Sequence, residues 1–119
     1  MKIYLAGPMT GIPHFNYPAF NAAAAFLREI GHEVFNPAEH DLKVYGKDIS
    51  NPTGCAVTAA KDHGFDRRAV LKADLSWICD QAEAIALLPG WEKSSGANAE
   101  RALATALGLG VIDLGVSFS

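Results

Sequence analysis

AIALLPGWEKSSGANAE, residues 84–100, is the stretch that decides the fold, because it joins a strand, a loop and a helix. The apolar run 84–88 predicts a buried strand, and the Pro, Gly and Ser residues after it predict a loop. A helix pattern opens at about Ala97 and carries Glu100 in its first turn. A corner made of a strand, a small-residue loop and a helix N-terminus binds anions and sugars. A carboxylate is out of place there if the ligand is only a phosphate, so Glu100 suggests chemistry on a neighbouring group.

The rest of the chain repeats this alternation of strands and helices. Further strands are predicted at residues 2–6, 33–35 and 111–114, and helices at residues 19–30, 66–79 and 97–107. The strands are short and nearly continuous in apolar residues, which is typical of a parallel sheet covered on both faces. The sequence therefore predicts one α/β domain over residues 1–119. Its expected architecture is a Rossmann-like (flavodoxin-like) open parallel sheet of four to five strands with helices on both faces.

Residues 41–65 do not fit this scheme. The segment has little periodicity and carries Gly46, Asn51-Pro52, Gly54 and Gly64. A long loop in a compact domain is usually functional or disordered. We interpret residues 41–65 as a lid or a subunit-contact loop.

Composition and charge exclude several classes of protein. The net charge is −3 with no basic run, which argues against binding to a nucleic acid backbone. No apolar stretch is long enough to span a bilayer and the N-terminus has no signal-peptide layout, so no membrane association is expected. Cys55 and Cys79 are far apart in the sequence and are expected to be reduced thiols of a cytoplasmic protein. No His or Cys cluster has metal-ligand spacing, and we predict neither a metal nor a cofactor.

Small and polar residues gather after each predicted strand. In an open parallel sheet, ligands bind beyond the carboxyl ends of the strands, where the strand order reverses. The loops there are GPMTG at residues 7–11, NPAEH at 36–40, the loop of the opening stretch, and residues 115–117 after the fourth strand. If the first strand is central, the first and third loops face each other. Each signal also has a structural alternative: a tight turn at 7–11, a helix cap at Ser95 or Gly96, and a favourable dipole interaction for Glu100.

Longer motifs resemble those of a known superfamily. YLAGPMTG at residues 4–11, NYPAF at 16–20, FNPAE at 35–39 and LLPGW at 87–91 look like a branch common in bacteriophages and prophages. The branch lies within the nucleoside 2-deoxyribosyltransferase-like superfamily. Asp74-Leu75 before the third strand and Gly96-Ala97-x-x-Glu100 after it resemble the superfamily pattern. The resemblance covers nearly the whole chain except residues 41–65.

The resemblance implies N-glycosidic bond cleavage or exchange on a nucleoside or (deoxy)nucleoside 5'-monophosphate. Glu100 matches the nucleophile that attacks C1' of the sugar, and Asp74 matches an aspartate that binds the sugar hydroxyl and assists the base side. A second base as acceptor gives transfer, whereas water gives hydrolysis. Substrate-binding residues are expected in the first loop, the second loop and the loop before the last helix: Gly7, Pro8, Met9, Gly11, Asn36, His40, Trp91, Ser94, Ser95 and Gly96. For Trp91, stacking on a base and covering the loop or a subunit interface carry equal weight.

Two residues depart from the superfamily pattern. Ala99 stands where an aromatic residue is common, and Arg101 stands where small or apolar residues are usual. A buried Arg101 would pair with Glu100 and lower its nucleophilicity, whereas an outward Arg101 would be harmless. An alternative function is binding of a nucleotide or nucleotide-derived signal without turnover. The resemblance also implies a homodimer or higher homo-oligomer, with residues 41–65 and 117–119 as candidate contacts.

Overall fold

The computed structural model describes residues 1–115. Its strands are β1 (Lys2–Ala6), β2 (Glu33–Phe35), β3 (Ala84–Leu87) and β4 (Gly110–Asp113). Its helices are α1 (Tyr17–Glu29), α2 (Pro37–Tyr45), α3 (Ala56–His63), α4 (Arg67–Asp80) and α5 (Ser95–Ala106), with short 3-10 turns at Pro13–Asn16 and Trp91–Lys93. The candidate contact at residues 117–119, and most of the predicted loop at 115–117, lie outside the described residues. In the part of the chain that is described, no helix has both the length and the apolar character that crossing a membrane requires.

The four strands form one parallel sheet in the order β2-β1-β3-β4. This confirms the predicted α/β class and open parallel sheet. β1 is central, with β2 on one side and β3 on the other, and the register pairs Ile3 with Ala84 and Ala6 with Leu87. The strand order reverses between β1 and β3, so the loops after these two strands meet at the same edge of the sheet.

Side chains of β1 alternate between the two faces of the sheet, because successive residues of a strand point in opposite directions. Ile3 and Leu5 pack in a core cluster with Phe20 and Leu27 of α1. On the other face, Tyr4 belongs to a second cluster that also contains residues of α4 and α5, among them Ile78, Ala97 and Ala104. This alternation places the Tyr4 side chain on the face that α4 and α5 cover.

Residues 41–65 are not a long loop. They contain the end of α2 and all of α3, and α2 begins directly after β2. The Asn36 side chain caps α2 by accepting a hydrogen bond from the Ala38 backbone N–H at 3.0 Å, and Pro37 fits the first helical position. Periodicity failed to reveal these helices because both are short, with nine residues in α2 and eight in α3. A lid or subunit-contact role for the segment stays a prediction.

The loop after β1 is fastened to the segment between α2 and α3. The Gly11 N–H donates to the Gly54 carbonyl at 2.8 Å, and the His14 N–H donates to the Asn51 carbonyl at 2.8 Å. Gly54 has φ +69°, and a Cβ atom there would lie 2.1 Å from the backbone oxygen of Ile12. Only glycine fits both the backbone angle and the space. These contacts fix the loop that borders the sheet edge.

The last helix begins two residues before the predicted start. Ser94 is its N-cap, and the Ser94 Oγ accepts a hydrogen bond from the Ala97 N–H at 3.1 Å. The sequence alone indicates Ser95 or Gly96 for this position. The shift leaves Ser95 and Gly96 in the first turn of α5, where their backbone N–H groups are not needed by the helix.

Candidate functional site

A cleft of about 670 Å³ opens at the carboxyl ends of β1 and β3. The loop after β1, the loop after β3 and the first turns of α4 and α5 form its walls. Most of the predicted site residues lie on these walls: Gly7, Pro8, Met9, Gly11, Asp74, Ser94, Ser95, Gly96 and Glu100. The cleft occupies the position at which the sheet order reverses, as the strand pattern predicted.

Glu100 lies in α5 at the buried side of the cleft and is 6% exposed. The Tyr4 hydroxyl donates a hydrogen bond of 2.6 Å to the Glu100 Oε2. Burial raises the pKa of Glu100 to about 8, although the Tyr4 hydrogen bond acts in the opposite direction, and the nearby Asp74 raises it further. Glu100 is therefore a carboxyl whose charge is sensitive to what occupies the cleft.

Asp74 is the second buried carboxyl, on α4, and is 5% exposed. Burial raises its pKa to about 7, the interaction with the Tyr4 hydroxyl lowers it, and the charge of Asp41 raises it. Within the described residues, the Asp74 Oδ1 has no hydrogen-bond partner. A buried acceptor without a partner is costly unless a ligand, a water molecule or a proton satisfies it.

Tyr4 connects the two carboxyls, and the sequence analysis did not identify it as a site residue. Burial and the charges of Glu100 and Asp74 raise its pKa well above the ordinary value, so its hydroxyl remains a donor. The signal was present: a tyrosine inside an otherwise apolar buried strand needs a polar partner for its hydroxyl. The sequence alone did not show which residues would supply that partner.

Two cations, Arg67 and Lys93, line the cleft near the start of α5, and the sequence analysis missed both. The Arg67 guanidinium donates to the Ser95 Oγ at 2.6 Å. Lys93 directly precedes the Ser94 cap. Because these cations belong to separate elements, they form no basic run that would have indicated them in the sequence. Together with the free N–H groups of the first turn of α5 they form a site suited to an anion.

A third buried carboxyl, Asp41 of α2, also lines the cleft and is 3% exposed. The Tyr17 hydroxyl donates to the Asp41 Oδ2 at 2.7 Å, and the Asp41 Oδ1 is buried without a hydrogen-bond partner in the described structure. Burial raises the pKa of Asp41. The aromatic rings of Phe15 and Phe65 line the cleft as well. The sequence analysis had pointed to the neighbouring His40 instead.

Three predicted binding residues lie outside the cleft lining. The Asn36 amide caps α2 and donates to the Asn21 Oδ1 at 2.9 Å, so its hydrogen-bonding groups are occupied. The His40 ring lies 5.1 Å from the Phe35 ring, because adjacent helix residues point about 100° apart and Asp41 takes the inward direction. These placements give no geometric support for substrate contacts by Asn36 or His40.

Trp91 also lies outside the cleft lining, and its side chain packs against the second core cluster. The Arg101 guanidinium stands over the Trp91 ring at 5.1 Å from its centroid. Arg101 is exposed, so the outward alternative holds and it does not neutralise Glu100. The cation–π contact gives Arg101 a partner outside the cleft.

In the described part of the chain, no group of three or more His, Cys, Asp or Glu side chains is arranged to hold a metal ion. Both cysteines are free thiols. The charged side chains that line the cleft are the carboxyls of Asp41, Asp74 and Glu100 and the cations of Arg67 and Lys93.

Comparison with known proteins gives one family. The sequence model of that family, described as a domain of unknown function (DUF4406), matches residues 1–113. A comparison with curated proteins gives no match.

Proposed function

The chain belongs to the DUF4406 family, whose description assigns no function, and we propose that it cleaves the N-glycosidic bond of a nucleoside 5'-monophosphate. The observation that carries this proposal is the pair of buried carboxyls, Glu100 and Asp74, that both interact with the Tyr4 hydroxyl in one cleft. Most glycosidases cleave the bond with a pair of carboxyls, of which the proton donor has a raised pKa. The motifs that resemble the nucleoside 2-deoxyribosyltransferase-like superfamily support the same reaction.

Glu100 acts as the nucleophile in this proposal. Its carboxylate attacks C1' of the sugar as the C1'–N bond breaks, which gives a glycosyl ester on Glu100 and releases the base. Tyr4 holds Oε2 through its hydrogen bond and leaves Oε1 for the attack. Although burial favours the protonated form of Glu100, the positive charge that develops on the sugar favours the carboxylate.

Asp74 serves as the proton donor and then as the acceptor. Its raised pKa of about 7 keeps a protonated fraction near neutral pH, and that proton goes to the leaving nitrogen of the base. The Asp74 carboxylate then takes a proton from the water molecule that attacks C1' of the ester. Glu100 leaves as a carboxylate, and the net reaction is hydrolysis. A second base in place of water would give transfer.

Arg67, Lys93 and the first turn of α5 support a phosphate on the substrate. Two cations and unused backbone N–H groups suit a dianion better than a neutral nucleoside. The Ser94 hydroxyl already accepts from the Ala97 N–H, but its own proton remains available for a phosphate oxygen. We therefore favour monophosphates over nucleosides, and we further propose a cytoplasmic homo-oligomer.

Binding without turnover is the second candidate function, and the pKa of Glu100 favours it. With a pKa of about 8, Glu100 is mostly protonated at neutral pH in the empty cleft, and a protonated carboxyl is a poor nucleophile. The protein would then act as a nucleotide sensor or sequestering protein.

The two functions are separated by incubating the protein with deoxynucleoside monophosphates and measuring free base by chromatography. For the enzyme, we expect base release that Glu100→Gln abolishes and Asp74→Asn reduces. Glu92→Gln is the matched control, because Glu92 is exposed and outside the cleft lining. If the wild type and Glu100→Gln bind the nucleotide equally and neither releases base, catalysis is contradicted and the binding protein is favoured.

A further inference from the structure

Asp41 is a buried, half-satisfied carboxyl that the proposed cleavage reaction does not use. One of its oxygens, Oδ2, accepts the Tyr17 hydroxyl at 2.7 Å. The other, Oδ1, is buried without a hydrogen-bond partner in the described structure, although the residue lines the cleft. Leaving a buried acceptor unpaired is costly, so a ligand group that donates to Oδ1 would recover that free energy.

The topology places Asp41 on a different side of the cleft from Glu100. Asp41 lies on α2, which follows β2, whereas Glu100 lies on α5, which follows β3. β2 and β3 are the two neighbours of β1, so these residues approach the cleft from opposite sides of the central strand. A nucleotide with its phosphate at the start of α5 and its C1' at Glu100 therefore extends its base towards α2.

The surroundings of Asp41 suit a planar ring. Phe15 and Phe65 line the cleft with ring centroids 6.2 Å apart, and the Phe15 ring lies 5.9 Å from the Tyr17 ring. Ile12 adds an apolar contact surface. Aromatic and apolar walls with one hydrogen-bonding group are the usual composition of a small-molecule site, in which the polar group decides orientation and specificity.

We propose that Asp41 reads the nucleobase: its Oδ1 accepts a hydrogen bond from an exocyclic amino group of the base. The ligand class is a nucleotide with an amino-bearing base, preferred over the oxo-bearing isostere. The oxygen lone pairs of Asp41 would repel those of an exocyclic carbonyl at the same position. This inference rests on the proposed nucleotide ligand, but it does not require that the ligand be cleaved.

Two pairs of nucleotides exchange this amino group for a carbonyl, with the adjacent ring nitrogen changing from an acceptor to an N–H: dCMP against dUMP, and dAMP against deoxyinosine monophosphate. Binding of all four would be measured by calorimetry in the Glu100→Gln background, so that none is consumed. The expected result is at least about tenfold tighter binding of the amino member of at least one pair, because a site built for a donor rejects an analogue that lacks it.

Asp41→Asn in the same background tests the residue itself. Tyr17 keeps the amide oxygen as its acceptor, so the amide N–H₂ takes the place of Oδ1 and offers a donor to the base. We expect the preference to reverse towards the oxo member. Tyr17→Phe is the companion variant, which frees the Asp41 carboxyl and should weaken the preference without reversing it. Thermal unfolding of each variant confirms that it is folded.

The outcomes distinguish this inference from the proposed reaction. A preference that Asp41→Asn reverses supports the base-reading role even if the protein with Glu100 intact releases no base. Equal binding of both members of each pair, an unchanged preference in Asp41→Asn, or no binding of any of the four nucleotides would overturn it. Base release with no effect of Asp41→Asn on the preference would leave the reaction standing and remove only the role of Asp41.

Discussion

The hydroxyl of Tyr4 and the carboxyl of Glu100, 96 residues apart in the sequence, are joined by a buried hydrogen bond of 2.6 Å. The bond connects the central strand β1 to the last helix, α5, at the bottom of the cleft. Because the pKa of Tyr4 is raised, the tyrosine keeps its proton and Glu100 accepts the hydrogen bond. The relationship makes Tyr4 the residue that positions the proposed nucleophile and opposes its protonation.

Tyr4→Phe should therefore lower base release and shift its pH dependence. The tyrosine hydrogen bond lowers the pKa of Glu100, and its loss should move the acidic limb of the kcat–pH profile to higher pH. A hydrogen bond to a charged group contributes about 1.5–3 kcal/mol, so kcat near neutral pH should fall by about ten- to a hundredfold. Tyr45→Phe is the control, because the Tyr45 hydroxyl accepts from the Asp66 N–H outside the cleft lining. An unchanged pH profile in Tyr4→Phe would show that Tyr4 only fills space.

Folding stability should decrease as the pH rises through the pKa of Glu100. The ordinary pKa of 4.5 rises to about 8 in the folded protein, so between these values the folded state binds more protons than the unfolded state. The stabilisation is fully present below about pH 4.5 and is lost as the pH passes 8. The glutamine in Glu100→Gln does not titrate. At pH 9 the free energy of unfolding of this variant should exceed that of the wild type by at least about 2 kcal/mol. Thermal melts from pH 5 to pH 9 measure this, with the exposed Glu92→Gln as control. Parallel curves for wild type and Glu100→Gln would contradict it.

Arg67→Ala and Lys93→Ala should weaken recognition of the phosphate. We expect KM for a nucleoside monophosphate to rise about five- to tenfold in each variant, because one charge–phosphate contact is lost. KM for the matching nucleoside should stay unchanged. The difference in monophosphate KM between each variant and the wild type should shrink in high salt, because both cations are near the surface. Arg68→Ala is the matched control, since Arg68 is an exposed neighbour on α4 that does not line this cleft. Equal effects on nucleotide and nucleoside would contradict the phosphate role.

Gly54→Ala should destabilise the protein far more than Gly46→Ala. The two glycines have nearly the same backbone angle, with φ +69° and +72°, so the strain of a left-handed alanine is common to both. They differ in space: nothing lies within 4 Å of a Cβ at Gly46, whereas the Ile12 backbone oxygen lies 2.1 Å from a Cβ at Gly54. We expect a loss of about 1 kcal/mol at Gly46 and at least about 3 kcal/mol at Gly54, measured by urea unfolding. Similar losses would show that the Ile12 segment moves freely aside.

The sheet was predictable from the sequence because its strands are apolar runs that the chain interrupts with Gly and Pro. Patterns of this kind depend on local residues alone. The helices α2 and α3 were missed since both are short, and the capping role of Asn36 was visible only once α2 had been located. The exact start of α5 was also not visible in the sequence, because it depends on which serine accepts the Ala97 N–H.

The candidate site was predictable where a local pattern or a motif marked it. Glu100 was singled out from the corner of strand, loop and helix, Asp74 from its resemblance to the superfamily pattern, and both line the cleft. Asp41 and Arg67 reach the same cleft from separate elements, and Tyr4 is hydrogen-bonded to Glu100 behind it. Sequence spacing carries no information about such a meeting. Which of His40 and Asp41 faces the cleft depends on the rotation of α2 about its axis. That rotation is set by the packing of α2 against α1.

The central position of β1 also determines when the domain can form during synthesis. Its partner on one side, β2, leaves the ribosome early, but its partner on the other side begins only at Ala84. Until then the nascent chain presents one unpaired edge of an apolar strand, which is a template for aggregation and a target for chaperones. Glu100 emerges later still, so the buried carboxyl pair cannot assemble during synthesis until the chain beyond residue 100 has been made. Translation pauses before residue 84 should therefore increase the dependence of this protein on chaperones.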